Sequence, residues 1–173
     1  SPIIGLKQET TMTYLFSSQK RGGFSYLGHS CSRYVYNRVW LDFEYPEIDA
    51  KTQKMFDYGH EIEAILALWL EREHGYKIYS DQELVGLGYD LRSHHPKDPK
   101  QVYIKPDVLN GLWSGQADGI AISPDGERVL VEYKTTNAKK LKEIECVQTW
   151  KSQYYYQVQL YMHFVGLKKC IFV

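Results

Sequence analysis

Cysteine is scarce in this sequence and shows no pairing pattern. The 173 residues include three, Cys31, Cys146 and Cys170. No CxxC pair and no metal-finger spacing occurs, so neither a zinc finger nor a disulfide scaffold is expected. An odd, sparse set points to a reducing compartment such as a cytoplasm. Long hydrophobic runs are also lacking. None approaches the ~18 residues of a membrane span, so no membrane partner is expected. The apolar stretch from Pro2 to Leu6 is too short for a signal peptide. A net charge is missing too: 21 basic residues face 21 acidic ones. That removes the global signature of a nucleic-acid binder and leaves only local patches. Repeats, low-complexity tracts and interdomain linkers are absent. Residues 1–173 therefore read as one domain, with 1–25 as an N-terminal extension. The final Cys170-Ile171-Phe172-Val173 looks like a strand just beginning, and more sequence is expected after it.

Tyrosine is what the chain has in excess, with 15 residues. Its side chain serves equally in a core, a wet cleft or a nucleic-acid surface. Periodicity and breakers predict a helix over 26–43 and a long helix over 47–73. Pro46, Glu47 and Asp49 mark the start of the second, and Gly75 ends it. Ile62, Ile65, Leu66 and Trp69 fall at helical spacing and predict one apolar face. "YKIYSDQELVGLG" reads as a strand or a hairpin, and "RSHHPKDPKQ" as a polar loop. "GLWSGQADGIAIS" and "RVLVEYKTT" read as two strands around the turn Ser123-Pro124-Asp125-Gly126. A short helix over 137–146, a final helix closed by Gly166 and a last strand follow. This order gives an α/β or α+β class with a mixed sheet.

The candidate chemistry gathers around that turn. With residues summing to about 249 facing each other, Asp118 lies opposite Val131, next to Glu132. Two carboxylates brought together near a buried strand repel, and burial adds to the cost. A hard divalent cation offsets both. Lys134, two residues beyond Glu132, shares its face and can neutralise charge or orient a water. A Glu-x-Lys pair alone is usually a solvated strand edge. Here Val129-Leu130-Val131 leads into it and argues for burial.

Gly115-x-x-Asp118-Gly119 followed by Glu132-x-Lys134 resembles the core of the PD-(D/E)XK nuclease superfamily, in its RecB-like, YqaJ-like and phage-type exonuclease branch. The superfamily's usual Pro before the Asp is replaced by Ala117, as in the Gly-x-x-Asp pattern of the RecB-like branch. Two further stretches carry the resemblance. "DYGHEIEAILALWLE" is similar to the branch's first helical motif, with Gly59 and Glu63 one turn apart. Gln157-Val158-Gln159-Leu160-Tyr161 is similar to its Gln-h-x-x-Tyr motif. Gln157 and Tyr161 are i and i+4, so both reach one side; an amphipathic core helix is the alternative reading.

The resemblance implies a restriction-endonuclease-like core, a central mixed β-sheet flanked by α-helices. It implies hydrolysis of DNA phosphodiesters with Mg²⁺ or Mn²⁺ held by Asp118, Glu132 and the Tyr133 carbonyl. Glu63 would join directly or through water. Lys134 would position the attacking water, and Gln157 and Tyr161 would complete the catalytic set and bind substrate, the glutamine at a phosphate or base and the tyrosine by stacking or at a backbone oxygen. Gly59 would let the helix approach the sheet closely. His60 would lie toward solvent or DNA. Arg33, with Ser30 or Ser32, would help hold a terminal phosphate, though an ordinary surface arginine fits as well. Lys97, Lys100, Lys105, Lys139, Lys140, Lys142 and Lys151 are available for phosphate contacts. His94 and His95 read as solvated loop residues. Some relatives carry an iron–sulfur cluster on one early and three late cysteines. Cys31 matches the early one, but Cys146 and Cys170 lack the late spacing, so no cluster is expected. The implied partner is DNA, as a linear duplex or single-stranded ends, and the implied activity is an exonuclease of recombination, repair or degradation. A homo-oligomer or a recombination partner protein is compatible with it. An endonuclease of the same superfamily and a catalytically inactive DNA-binding module stay open.

Overall fold

The computed structural model describes residues 22–40, 49–93, 99–136, 138–142, 144 and 151–173. His94, His95, Lys97, Cys146, the Pro46 start signal and the Lys140 side chain lie outside the described residues. The elements are β1 (Gly22–Gly23), α1 (Ser32–Trp40), α2 (Ala50–His74), β2 (Lys77–Ile78), α3 (Asp81–Gly86), β3 (Asp90–Arg92), β4 (Gln101–Ile104), β5 (Trp113–Ala117), β6 (Gly119–Ile122), β7 (Arg128–Glu132), α4 (Ala138–Lys142), α5 (Ser152–Val165) and β8 (Cys170–Phe172). The protein is α+β. One four-stranded sheet runs β1-β5-β4-β3 and the other β2-β6-β7-β8. β1 pairs parallel with β5 and β7 with β8; the other pairs are antiparallel.

Several expectations shift at this level. The first helix starts at Ser32, not 26. Phe24–Tyr26 forms a 3₁₀ turn, and Gly28 sits so close to α5 that a Cβ there would meet the Gln153 Cα at 2.8 Å. α2 begins after Asp49, whose carboxylate accepts from the Thr52 N–H at 2.6 Å; Asp49 is the cap and not part of the first turn. "SDQELVG" is a helix rather than half of a hairpin. Ser80 and Glu83 form a reciprocal capping box, which outweighs the β-branched content of the neighbourhood.

The expected strand through 118 is broken. β5 and β6 belong to different sheets, and the break falls on Asp118. Its carboxylate takes the Tyr133 N–H at 2.8 Å, in place of a backbone acceptor. The β6–β7 register pairs Gly119 with Val131 and Ile122 with Arg128. Pairs therefore sum to 250, and Asp118 falls opposite Glu132 rather than Val131. The turn absorbs the extra residue. Gly126 donates to the Ser123 carbonyl, Ser123 donates to that of Glu127, and Gly126 takes φ +86°.

Two cores flank the second sheet. Leu130 and Ile120 pack with Ala117, Val102, Val158 and Tyr161 beneath α5. Ala121, Val129 and Val131 pack with Leu70 of α2 on the other face. β7 is thus buried on both sides, and each fully buried aliphatic chain contributes ~1.5–3 kcal/mol. The expected apolar face of α2 is not its buried face. Ile62, Ile65 and Trp69 are 40%, 64% and 47% exposed, while Leu70 is buried. Among the described residues the sheet core that packs on this helix centres on Leu70, with Leu66 half-buried one turn before it. Gly59 does not serve close approach either, since a Cβ there would meet nothing within 4 Å. No helix among the described residues is long and apolar enough to cross a membrane.

Candidate active site

The β7 alternation that buries Leu130 under α5 puts Glu132 on the same face. Glu132 is 1% exposed. Its Oε1 accepts from Lys134 Nζ at 2.5 Å and from Gln157 Nε2 at 3.1 Å. Its Oε2 is buried and has no hydrogen-bond partner among the described residues. Asp118 stands across from it at the sheet break. Asp118 Oδ2 takes the Tyr133 N–H, and Oδ1 takes Gln101 Nε2 at 2.6 Å. Backbone pairing continues past Glu132: Lys134 N–H donates to the Val173 carbonyl, and Val173 N–H to the Glu132 carbonyl. Tyr133 therefore turns its own N–H and carbonyl toward the other edge, where Asp118 lies.

The electrostatics follow from this placement. Burial pushes the Glu132 carboxyl up to about 8, and the neighbouring Asp118 charge adds to the rise. Burial also raises Asp118, against the opposing pull of Lys134, the Tyr133 N–H, His60 and Gln101. Burial alone would lower Lys134, but the charges of Glu132 and Asp118 outweigh it and hold the ammonium above its ordinary value. Two carboxyls share one ammonium here, and burial disfavours the charged form of both carboxyls. A further positive charge is what the site is short of.

A cleft of about 570 Å³ opens beside the pair, walled by α2 residues His60 and Glu63 and by Tyr133, Lys134 and Tyr154. His60 lines this cleft, and its charge acts on Asp118. Glu63 lies on the α2 wall, and its charge acts on the Tyr133 hydroxyl, which burial first raises to about 12. Among the described residues no three His, Cys, Asp or Glu side chains gather closely enough to hold a metal ion. The close carboxylates are a pair, with Glu63 across the cleft.

Gln157 and Tyr161 are interior groups whose polar atoms turn to Glu132 and to each other. They are 6% and 2% exposed. Gln157 Nε2 bonds Tyr161 Oη at 2.9 Å as well as Glu132, so together they orient the carboxylate. The Tyr161 ring occupies the space that a side chain at Gly115 would need; a Cβ there would also sit 2.8 Å from Phe24. Gly115→Ala is expected to destabilise the fold by ~1–3 kcal/mol through overpacking, and to loosen Glu132 with it. Thermal unfolding checks the first effect and divalent-ion titration the second.

Ser30, Ser32 and Arg33 are exposed where α1 begins. That segment is tied to α5 by Ser152 Oγ donating to the Gly28 carbonyl. Lys139 and Lys142 are exposed on α4. Lys151 donates to Tyr154 Oη at 3.0 Å, which places it by the cleft. Cys31 is exposed, and Cys170 is half-buried in β8 with its thiol raised by burial. Sequence reasoning missed Gln101 and Tyr154. Gln101 gave no signal, because its contact with Asp118 depends on the β4–β5 register. Tyr154 was one tyrosine among many. No protein-family model, curated protein or solved structure matches the chain.

Proposed function

We propose that this protein is a divalent-metal-dependent deoxyribonuclease on a restriction-endonuclease-like core, acting on DNA ends as an exonuclease. One observation carries the reading. A buried carboxylate oxygen, Glu132 Oε2, has no hydrogen-bond partner among the described residues, in a carboxyl that lies close to the buried Asp118 and to Lys134. Buried polar atoms are nearly always satisfied, so an orphan in a polar site marks a missing ligand. Oxygen donors of this kind suit Mg²⁺ or Mn²⁺. Asp118, Glu132 and the Tyr133 carbonyl would hold the ion, with Glu63 reaching it through water. When bound, such an ion supplies polarisation of the phosphate and a more acidic water.

The chain's own residues do the rest. Gln157 and Tyr161 hold Glu132 in one orientation. The Tyr133 N–H and Gln101 do the same for Asp118. Lys134 is poised between Glu132 and the cleft, where an ammonium can orient a water or offset charge on a phosphate oxygen. The cleft wall brings the ammonium of Lys134 together with the acids Asp57 and Glu63, and Lys151 adds a second ammonium beside it through Tyr154.

The test is digestion of end-labelled linear duplexes, with and without a 5′-phosphate, in Mg²⁺ and in EDTA, against a circular duplex. Release of nucleotides from linear ends in Mg²⁺ alone is expected, with the circle resistant. Absence of divalent-dependent cleavage on every substrate overturns the reading. A cut circle turns it toward an endonuclease.

A further inference from the structure

A second depression, of about 310 Å³, opens on the first sheet next to the carboxylates. Its lining follows from register. Alternation sends Val102, Ile104 and Ala117 into the core and Gln101, Tyr103, Ser114 and Gln116 to the opposite face. Pairing sets Tyr103 opposite Gln116, and Arg92 opposite Gln101. One step further along the β4–β5 ladder, Gln101 meets Asp118, the contact made at 2.6 Å. The depression therefore reaches the candidate site through a single amide. The carbonyl oxygen of that amide has no partner among the described residues.

Its chemistry differs from that of the α2 cleft. The lining offers the amides of Gln101, Gln116 and Gln157, the hydroxyls of Ser25, Ser114 and Tyr161, and the Tyr103 ring, with no lysine or arginine. At the edge the Arg92 guanidinium lies 3.7 Å from the Tyr103 ring centroid. Asp90 holds it at 3.2 Å, and the Arg92 carbonyl accepts from Gln116 Nε2 at 3.1 Å. A lining without cations does not select a phosphate. Amides with a flat aromatic–guanidinium pair match a nucleobase, whose edge carries donors and acceptors and whose face stacks on such planes.

We infer that this depression takes an unpaired nucleobase flanking the phosphate at Asp118 and Glu132, so that the strand delivered to the site is single-stranded or frayed. The inference rests on the nuclease reading. The test uses the full chain and a short labelled oligothymidylate, with a single abasic position walked along it. Binding is read by anisotropy in Ca²⁺ and cleavage in Mg²⁺. At one register the abasic substitution is expected to weaken binding about tenfold, the scale of one lost base stack. Tyr103→Ala removes that discrimination and Tyr103→Phe keeps it. Ser114→Leu, which fills the depression and leaves Tyr103 in place, also removes it, so the test survives if Tyr103→Ala fails to fold. Equal binding at every abasic register, or a Ser114→Leu protein that discriminates like wild type, overturns the inference. Cleavage that persists without abasic dependence sinks the subsite alone. A chain that neither binds nor cuts any oligomer sinks the nuclease reading with it.

Discussion

Asp118→Asn is expected to fold and to lose divalent-dependent cleavage by on the order of 10³-fold, the scale of removing an electrostatic stabiliser from a preorganised site. The fold should survive because the asparagine oxygen can still accept the Tyr133 N–H that Asp118 takes at 2.8 Å. Gln101 can turn its amide to meet the new NH₂ group, which replaces the acceptor it now contacts. What is lost is a hard anionic oxygen facing Glu132. Calorimetric titration with Mn²⁺ should show weakened binding, thermal unfolding should change little, and initial rates should collapse. A variant that cuts at the wild-type rate would remove Asp118 from the site and the proposed reading with it.

Glu132→Gln is expected to inactivate the protein and yet stabilise its metal-free form at pH 8. Glu132 is 1% exposed with Oε2 unpartnered, and burial followed by the Asp118 charge lifts its carboxyl from 4.5 to about 8. The unfolded chain releases this proton first as pH rises. Between pH 4.5 and about 8 the folded state therefore holds more protons than the unfolded state, and stability falls across that window. The slope approaches ~1.4 kcal/mol per pH unit where the difference is a whole proton. Glutamine carries no such proton, so the variant's melting temperature should lack this slope and exceed wild type at pH 8. Its new NH₂ group is a buried donor, a smaller cost than a buried charge. Lys134 keeps Asp118 as a counter-charge.

The same proton links Glu132 to the proposed ion. Binding must displace it, so Mg²⁺ affinity is expected to rise between pH 6 and 8, and Mg²⁺ should raise the melting temperature of wild type but not of the variant. A wild-type melting temperature flat from pH 5 to 8, with no gain in the variant, would show that Glu132 carries no stored charge cost.

Composition, periodicity and short spacing were enough for several features. They gave the α+β class, the hairpin around Ser123–Gly126 with its apolar β7, the last helix ending at Gly166, and the nearness of Asp118 to Glu132. These are local properties: a turn tetrad, a two-residue period and a 3.6-residue period speak through neighbours in sequence. Local chemistry also hid one element. The Ser80–Glu83 box starts a helix where a strand or hairpin was expected, because a pair of reciprocal hydrogen bonds outweighs residue preference.

Tertiary structure decided what depends on distant segments. Which face of α2 is buried depends on where the sheet ends, and it leaves Ile65 and Trp69 exposed while covering Leu70. Gly115 matters because of a ring supplied by α5, and Gly59 lies open to the cleft. Gln157 and Tyr161 turn inward, where Gln157 donates to Glu132 of a strand 25 residues earlier in the chain. Gln101 reaches Asp118 only once β4 and β5 pair in one register. The sequence by itself determined that two carboxylates and a lysine share one strand end. The tertiary structure decided that they are buried, that one carboxylate oxygen is left without a partner, and that open space lies on both sides of them. Charge placement is local along a strand, whereas desolvation and hydrogen-bond satisfaction are set by everything that folds around it.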